Sequence, residues 1–249
     1  MTQTYPEHPG SSRDARFATT RWTMVVAAGG ADSANARQAL EFLCRKYWFP
    51  LYFYLRRQGY SRPQAEDSVQ GFFAHLLEKH GLQSVQRQKH RFRSFLLASL
   101  KNFVVDEWRR TQAQRRGGGK AVLSLAFDEA ETRYSLEPSH SLSAERLFDR
   151  SWAMTVIGRA LEALQREYAE ASKNALFEQL KTHITTEPER GFYQQCAAHL
   201  NMSAEAVRVA AHRLRRRLRE LIRQEISETV TTAEQLEEEV RDLFTAFEP

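Results

Sequence analysis

Cysteine is almost missing: Cys44 and Cys196 stand far apart in 249 residues, and neither belongs to a Cys-x-x-Cys pair. That excludes a disulfide framework and predicts two buried, reduced thiols. Glycine (11) and proline (7) are scarce while Ala, Leu, Glu and Arg abound, so little interrupts helix. No apolar run approaches the roughly 18 residues of a membrane-spanning helix. Residues 1–21 are polar and lack the apolar stretch of a secretory signal, so a soluble, cytoplasmic protein with no membrane partner is expected. Chemistry-bearing spacings are missing too. His75 and His80 lie five apart, on different helix faces, rather than at the i, i+4 of a zinc helix. Gly117–Gly119 lack the preceding strand and the Lys-Ser/Thr ending of a phosphate loop, and there is no nucleophile elbow. No catalytic residue, metal or cofactor is expected.

What is present has the helical period. Apolar residues make up 42% and charged residues 27%, a globular balance, and the length suits one large domain or two small ones. Residues 1–18, rich in Thr, Ser, Pro and Gly, read as a disordered tail. Leu40, Leu43, Tyr47, Leu51 and Tyr54 recur three or four apart and predict a helix over about 34–58, ended by Gly59. Ser61, Pro63 and Gln64 have the order of a helix start, with Ala65, Val69, Phe72, Phe73 and Leu76 inward as far as about Lys79. A basic loop, Gln86–Arg93, precedes a helix from Ser94 to about Gln112 with Leu97, Leu100, Val104 and Trp108 inward. Residues 117–143 open with three glycines, show no sustained period and are locally acidic, so they read as a linker. A second helical block runs from about Ser143 to Thr229, and no strand alternation or internal repeat is visible. The expected fold is all-α: two small helical domains (19–114 and 144–228), a flexible linker (115–143) and an acidic C-terminal extension (229–249).

Positive charge gathers in two places. A short helix ending near Leu200, a tight turn and a Ser203 cap lead into a long helix with Glu205 in its first turn. There Val207, Ala211, Leu214, Leu218 and Leu221 form an apolar stripe. Arg208, His212, Arg215 and Arg219 lie on another face, flanked by Arg213, Arg216 and Arg217. Residues 203–223 hold seven Arg against two Glu. Arginine suits bidentate contact to phosphate and to the guanine edge, and a helix-turn-helix is how such a helix enters a major groove. The second place is 87–116, with nine Lys and Arg against Asp106 and Glu107. Its helix carries Ser99, Asn102, Asp106 and Arg109 on one side, with Phe92 and Phe95 nearby. Cations for a strand's backbone and aromatics for its bases suit single-stranded DNA.

Three stretches resemble the extracytoplasmic-function class of bacterial RNA polymerase sigma factors. Ala65-Glu66-Asp67-Ser68-Val69-Gln70-Gly71-Phe72-Phe73 is similar to the polymerase-binding helix of that class. Phe92–Leu96 through Asn102–Arg110 is similar to the helix that reads the −10 element, and Ser203–Leu218 to the helix that reads the −35 element. The resemblance covers about 36–225 and implies sigma domains 2 and 4 over the two units. It implies core-polymerase contacts at Glu66, Asp67, Gln70 and Phe73, with the alternative that Phe73 is core and that Asp67 and Gln70 lie on a solvated face. It implies −10 contacts at Arg91, Phe92, Arg93, Asn102, Asp106, Arg109 and Arg110, with the alternative that Asp106 orients a neighbouring Arg. It implies −35 contacts at Ser203, Glu205, Arg208, His212, Arg213, Arg215, Arg216 and Arg217. The loop Gln86–Arg93 would hold a flipped base, and the acidic linker would thread toward the active-site channel. Core polymerase and promoter DNA are the implied partners, with room for an anti-sigma or other regulatory protein. The rival is a helix-turn-helix regulator that never touches polymerase.

The last 25 residues carry seven Glu and one Asp against Arg241. Thr232 and Gln235 have capping-box spacing, and Leu236, Val240, Leu243 and Phe247 step by 4, 3 and 4, predicting a short amphipathic helix. Two expectations stand: packing on the chain's own second domain, or masking of an Arg-rich face.

Overall fold

A Thr20 cap, its hydroxyl accepting from the Thr23 amide at 3.1 Å, starts the first helix, Arg21–Ala27 (α1). The computed structural model describes residues 20–28, 34–78, 91–113, 125–136, 142–186 and 188–248, without the side chains of 108, 110–113 and 136. The proposed tail, most of the loop at 86–93 and the three glycines lie outside these residues. Next come Ala34–Arg57 (α2), Arg62–Leu77 (α3), Phe92–Ala113 (α4) and Phe127–Leu136 (α5). Ala144–Glu170 (α6), Asn174–Leu180 (α7) with a 3₁₀ turn at 181–183, Phe192–Leu200 (α8), Ala204–Ser227 (α9) and Ala233–Thr245 (α10) complete the chain. The described residues contain no strand, and the fold is all-α.

Pro50 lies inside α2 and cannot donate to the carbonyl of Lys46 four residues back. The helix kinks there, at Tyr47 (φ −121°, ψ 22°), where periodicity alone predicts one unbroken rod. Gly59 ends α2 at φ 89°, a left-handed conformation that glycine adopts without strain. At α3 the Gln64 side chain accepts from the Ser61 amide at 2.9 Å, and Ala65, Val69, Phe72, Phe73 and Leu76 are buried as their spacing predicts.

The stretch expected to be linker contains α5. Phe127, Ala130 and Tyr134 step by 3 and 4 and press on α2, with Phe127 against Trp48 at 4.9 Å and Tyr134 against Phe53 at 5.6 Å. Two of its three acidic residues are paired: Glu131 with Arg56 and Tyr52, and Asp128 with Arg62. That is a correction, missed because three inward residues make too short a run to show a period.

The two halves share one core. α2 and α6 pack along each other, and α9 packs on α6 as well. Tyr47 of α2 stacks on Trp152 of α6, rings 4.3 Å apart and 15° from parallel. The Trp22 amide donates to the Glu228 carbonyl (3.1 Å) and that of Phe92 to the Thr229 carbonyl (2.9 Å), tying the starts of α1 and α4 to the residues just past α9. One buried cluster runs from Trp22 to Leu243. The boundary expected between residues 114 and 144 is therefore not a gap in the packing, because apolar faces on α2 and α6 complete each other. Both cysteines are buried and unpaired, and burial pushes both thiols up from their ordinary pKa.

Candidate nucleic-acid interface

α8 and α9 are joined by three residues. Asn201 turns the chain in the left-handed region (φ 50°), and the Ser203 hydroxyl accepts from the Ala206 amide at 3.1 Å to cap α9. Val207, Ala211, Leu214, Leu218 and Leu221 are buried beneath α9. Ser203, Glu205, Arg208, His212, Arg213, Arg216 and Arg219 are exposed on its outer side. Two of these arginines are lightly held by their own helix: Arg208 by Glu205 at 3.2 Å and Arg216 by Glu220 at 3.5 Å. Exposed pairs of that kind contribute roughly 0–1 kcal/mol, so an anion competes for them readily.

The remaining two expected −35 arginines are built into the fold. Arg215 is half-buried and donates to the carbonyls of His183 (2.8 Å), Ile184 (3.3 Å) and Thr186 (3.4 Å), closing the segment before α8. Arg217 makes a forked pair with Glu167 of α6 at 2.9 and 2.7 Å and a further bond to Glu220 at 3.0 Å. Hydrogen bonds that it donates to Glu167, then to Glu220, raise its pKa, so it stays charged, and that charge is spent on docking α9. Assigning Arg215 and Arg217 to DNA is thus corrected. Periodicity places a residue on a face but does not say what stands opposite. Arg215→Ala is expected to cost about 1–3 kcal/mol in a denaturant titration, because several carbonyls lose their donor. Arg216→Ala, exposed, should stay within about 0.5 kcal/mol of wild type.

The first half divides similarly. Asp67 is exposed on α3, Gln70 is half-buried, and half-buried Glu66 is bonded by Arg62 at 2.7 Å. Phe73 is fully buried against Phe72, so its assignment to a polymerase surface gives way to the core alternative. Asn102, Asp106 and Arg109 are exposed along α4, with Asp106 3.5 Å from Arg109, the geometry of a carboxylate orienting its neighbour. The Arg110 side chain lies outside the described residues. Phe92 and Phe95 are fully buried, with Phe92 5.1 Å from Trp22 and Phe95 5.2 Å from it. They belong to the core and are not free to stack on a base. The inward face of α4 is accordingly set by Phe92, Phe95, Leu96 and Leu100, one step around from the expected Leu97 and Val104, which are half-buried. Arg91 and Arg93 sit together at the start of α4, half-buried and buried, each held by carboxylates of distant elements. Compared with protein-family models, with curated proteins and with solved structures, the chain finds no match in any of the three.

Proposed function

We propose that this chain is a transcription initiation factor of the sigma type, working with bacterial core RNA polymerase in the cytoplasm. The observation that carries this is the exposed basic face of α9 behind a capped three-residue turn, paired in one chain with a second basic helix, α4. α8 and α9 form a helix-turn-helix in which Arg208 and His212, near the helix start, face base edges of the −35 element, and Arg213, Arg216 and Arg219 hold phosphates. Asn102, Asp106 and Arg109 lie along the −10 region, with Arg91 and Arg93 at its edge. Asp67 and Gln70 meet polymerase. Each face reads its own stretch of duplex, so the shared core between α2 and α6 opens for both to bind, and distance labels on Asp67 and Glu205 should move apart when core polymerase is added.

Arg208→Ala is expected to weaken discrimination of a cognate −35 site by about 1–3 kcal/mol, while Arg216→Ala weakens binding to cognate and scrambled duplexes alike. Equal losses on both duplexes for the two variants would remove the assignment. Burial of Phe73, Phe92 and Arg93 favours the rival reading, a helix-turn-helix regulator whose first half is only structural. Capture by purified core polymerase separates the two: a sigma factor is retained and a free-standing regulator is not.

A further inference from the structure

Glu239 occupies a place that an amphipathic helix ordinarily gives to leucine. On α10 the side chains of Leu236, Val240 and Leu243 pack into the core beside α6 and α9. Glu239 lies among them, 3% exposed. It faces Arg91 and Arg93 across the chain. Its Oε1 is 3.4 Å from Arg91 Nε and its Oε2 is 3.3 Å from Arg93 Nε. Asp242, one turn on, bridges the same two residues, Oδ2 accepting from Arg91 Nη1 at 2.7 Å and from Arg93 Nη2 at 2.9 Å. Asp149 of α6 accepts from Arg93 Nη1 at 2.7 Å. Three carboxylates thus face two guanidinium groups.

As a stabilising device this cluster is poorly made. Burial pushes the carboxyls of Glu239 and Asp149 up from their ordinary range, despite the arginines. Glu239 Oε1 and Arg93 Nε are buried without an aligned hydrogen bond. Taking such charges out of water returns little, and apolar side chains of similar size commonly do as well or better. What the carboxylates supply is resemblance to a nucleic-acid backbone: negative oxygens offered in series to two arginines. α10 also ties together parts that have to separate. It reaches the start of α4 through Arg91 and Arg93 and α9 through the pair Glu237–Arg223, and just past its end the Glu248 carbonyl accepts from Arg146 of α6 at 3.2 Å.

We propose that α10 is an autoinhibitory latch, in which Glu239 and Asp242 occupy Arg91 and Arg93 in place of a DNA strand and hold the two halves closed until DNA displaces them. This rests on the assignment of Arg91 and Arg93 to DNA made above, and adds the segment that competes for them. The test uses the full chain carrying Glu239→Gln and Asp242→Asn, substitutions that keep shape and remove charge. The probe is a fluorescent single-stranded oligodeoxynucleotide of mixed sequence. The double variant should bind it about tenfold more tightly than wild type, within the usual range of coupling between two sites. Exposed Glu238→Gln should change nothing, and adding Arg91→Ala and Arg93→Ala should abolish the gain.

Equal affinity of wild type and double variant would overturn the latch. If the variant fails to fold, hydrogen exchange on the wild type decides. Amides of 236–245 should exchange faster when the protein is saturated with the oligonucleotide, and unchanged or slower exchange would overturn it. Core-polymerase capture is measured in parallel. Capture with equal DNA affinity removes the latch and leaves the sigma assignment, whereas tighter DNA binding without capture keeps the latch and removes the assignment.

Discussion

Glu225→Gln is expected to destabilise the fold by about 3 kcal/mol, the low end of what breaking a buried ion pair costs. Glu225 sits at the joint between the halves, its side chain 16% exposed beside Lys46 at 11%. It accepts from Lys46 at 2.9 Å, from Arg159 at 2.9 Å and from the Tyr47 hydroxyl at 2.8 Å. Glutamine keeps the shape but leaves two cations facing each other, with Glu228 nearby to moderate them. Burial already lowers the pKa of Lys46, and loss of the Glu225 carboxylate, which raises it, should lower it further.

The sign with pH follows from Glu225 itself. Burial alone would raise its pKa, but bonding and charge from Lys46, then Tyr47 and Arg159, outweigh that and hold it below the ordinary carboxylate range. A depressed pKa contributes stability that is fully present above the unfolded value and lost as pH falls through the folded one. The difference in denaturant midpoint between wild type and Glu225→Gln should therefore hold steady above about pH 5 and shrink as pH falls through and below the ordinary carboxylate range. A difference that stays constant would show that the carboxylate is not ionised and paired at this joint.

Trp152→Ala is expected to cost about 3–5 kcal/mol, the usual loss for truncating a buried large aromatic. The indole is 3% exposed, stacked on Tyr47 and within 6.1 Å of Phe92 and 6.3 Å of Phe148. It therefore touches both halves, and its loss should lower hydrogen-exchange protection in α2 and α6 together. Loss confined to α6 would mean that the halves are only weakly coupled and that Tyr47 closes over the vacancy.

Helix positions were legible because they depend on local chemistry. Ser61 with Gln64, Ser203 and Thr232 each start a helix where capping predicts. At the last, the Gln235 carbonyl reaches back to the Thr231 amide rather than to that of Thr232. The inward residues of α3 and α9 were legible because their stripes are long. Orientation of single charged and aromatic residues was not. A phenylalanine beside arginines serves equally as a base-stacking platform or as core, and only the arrival of Trp22 and Trp152 decides for Phe92. Arg217 was indistinguishable from Arg216 in the sequence, because Glu167, which claims it, lies 50 residues away. The C-terminal helix was expected on the second domain or on an Arg-rich face. It packs on α6 and α9 and also reaches the arginines of α4, since its two acidic residues at i and i+3 match a pair that periodicity does not connect to it.

The most direct measurement is run-off transcription with purified core polymerase on genomic fragments, with and without this chain. The proposed function predicts retention of the chain by core enzyme and discrete transcripts that appear only in its presence, fewer with Arg208→Ala. No retention, or retention with no new transcript from any fragment, would contradict it.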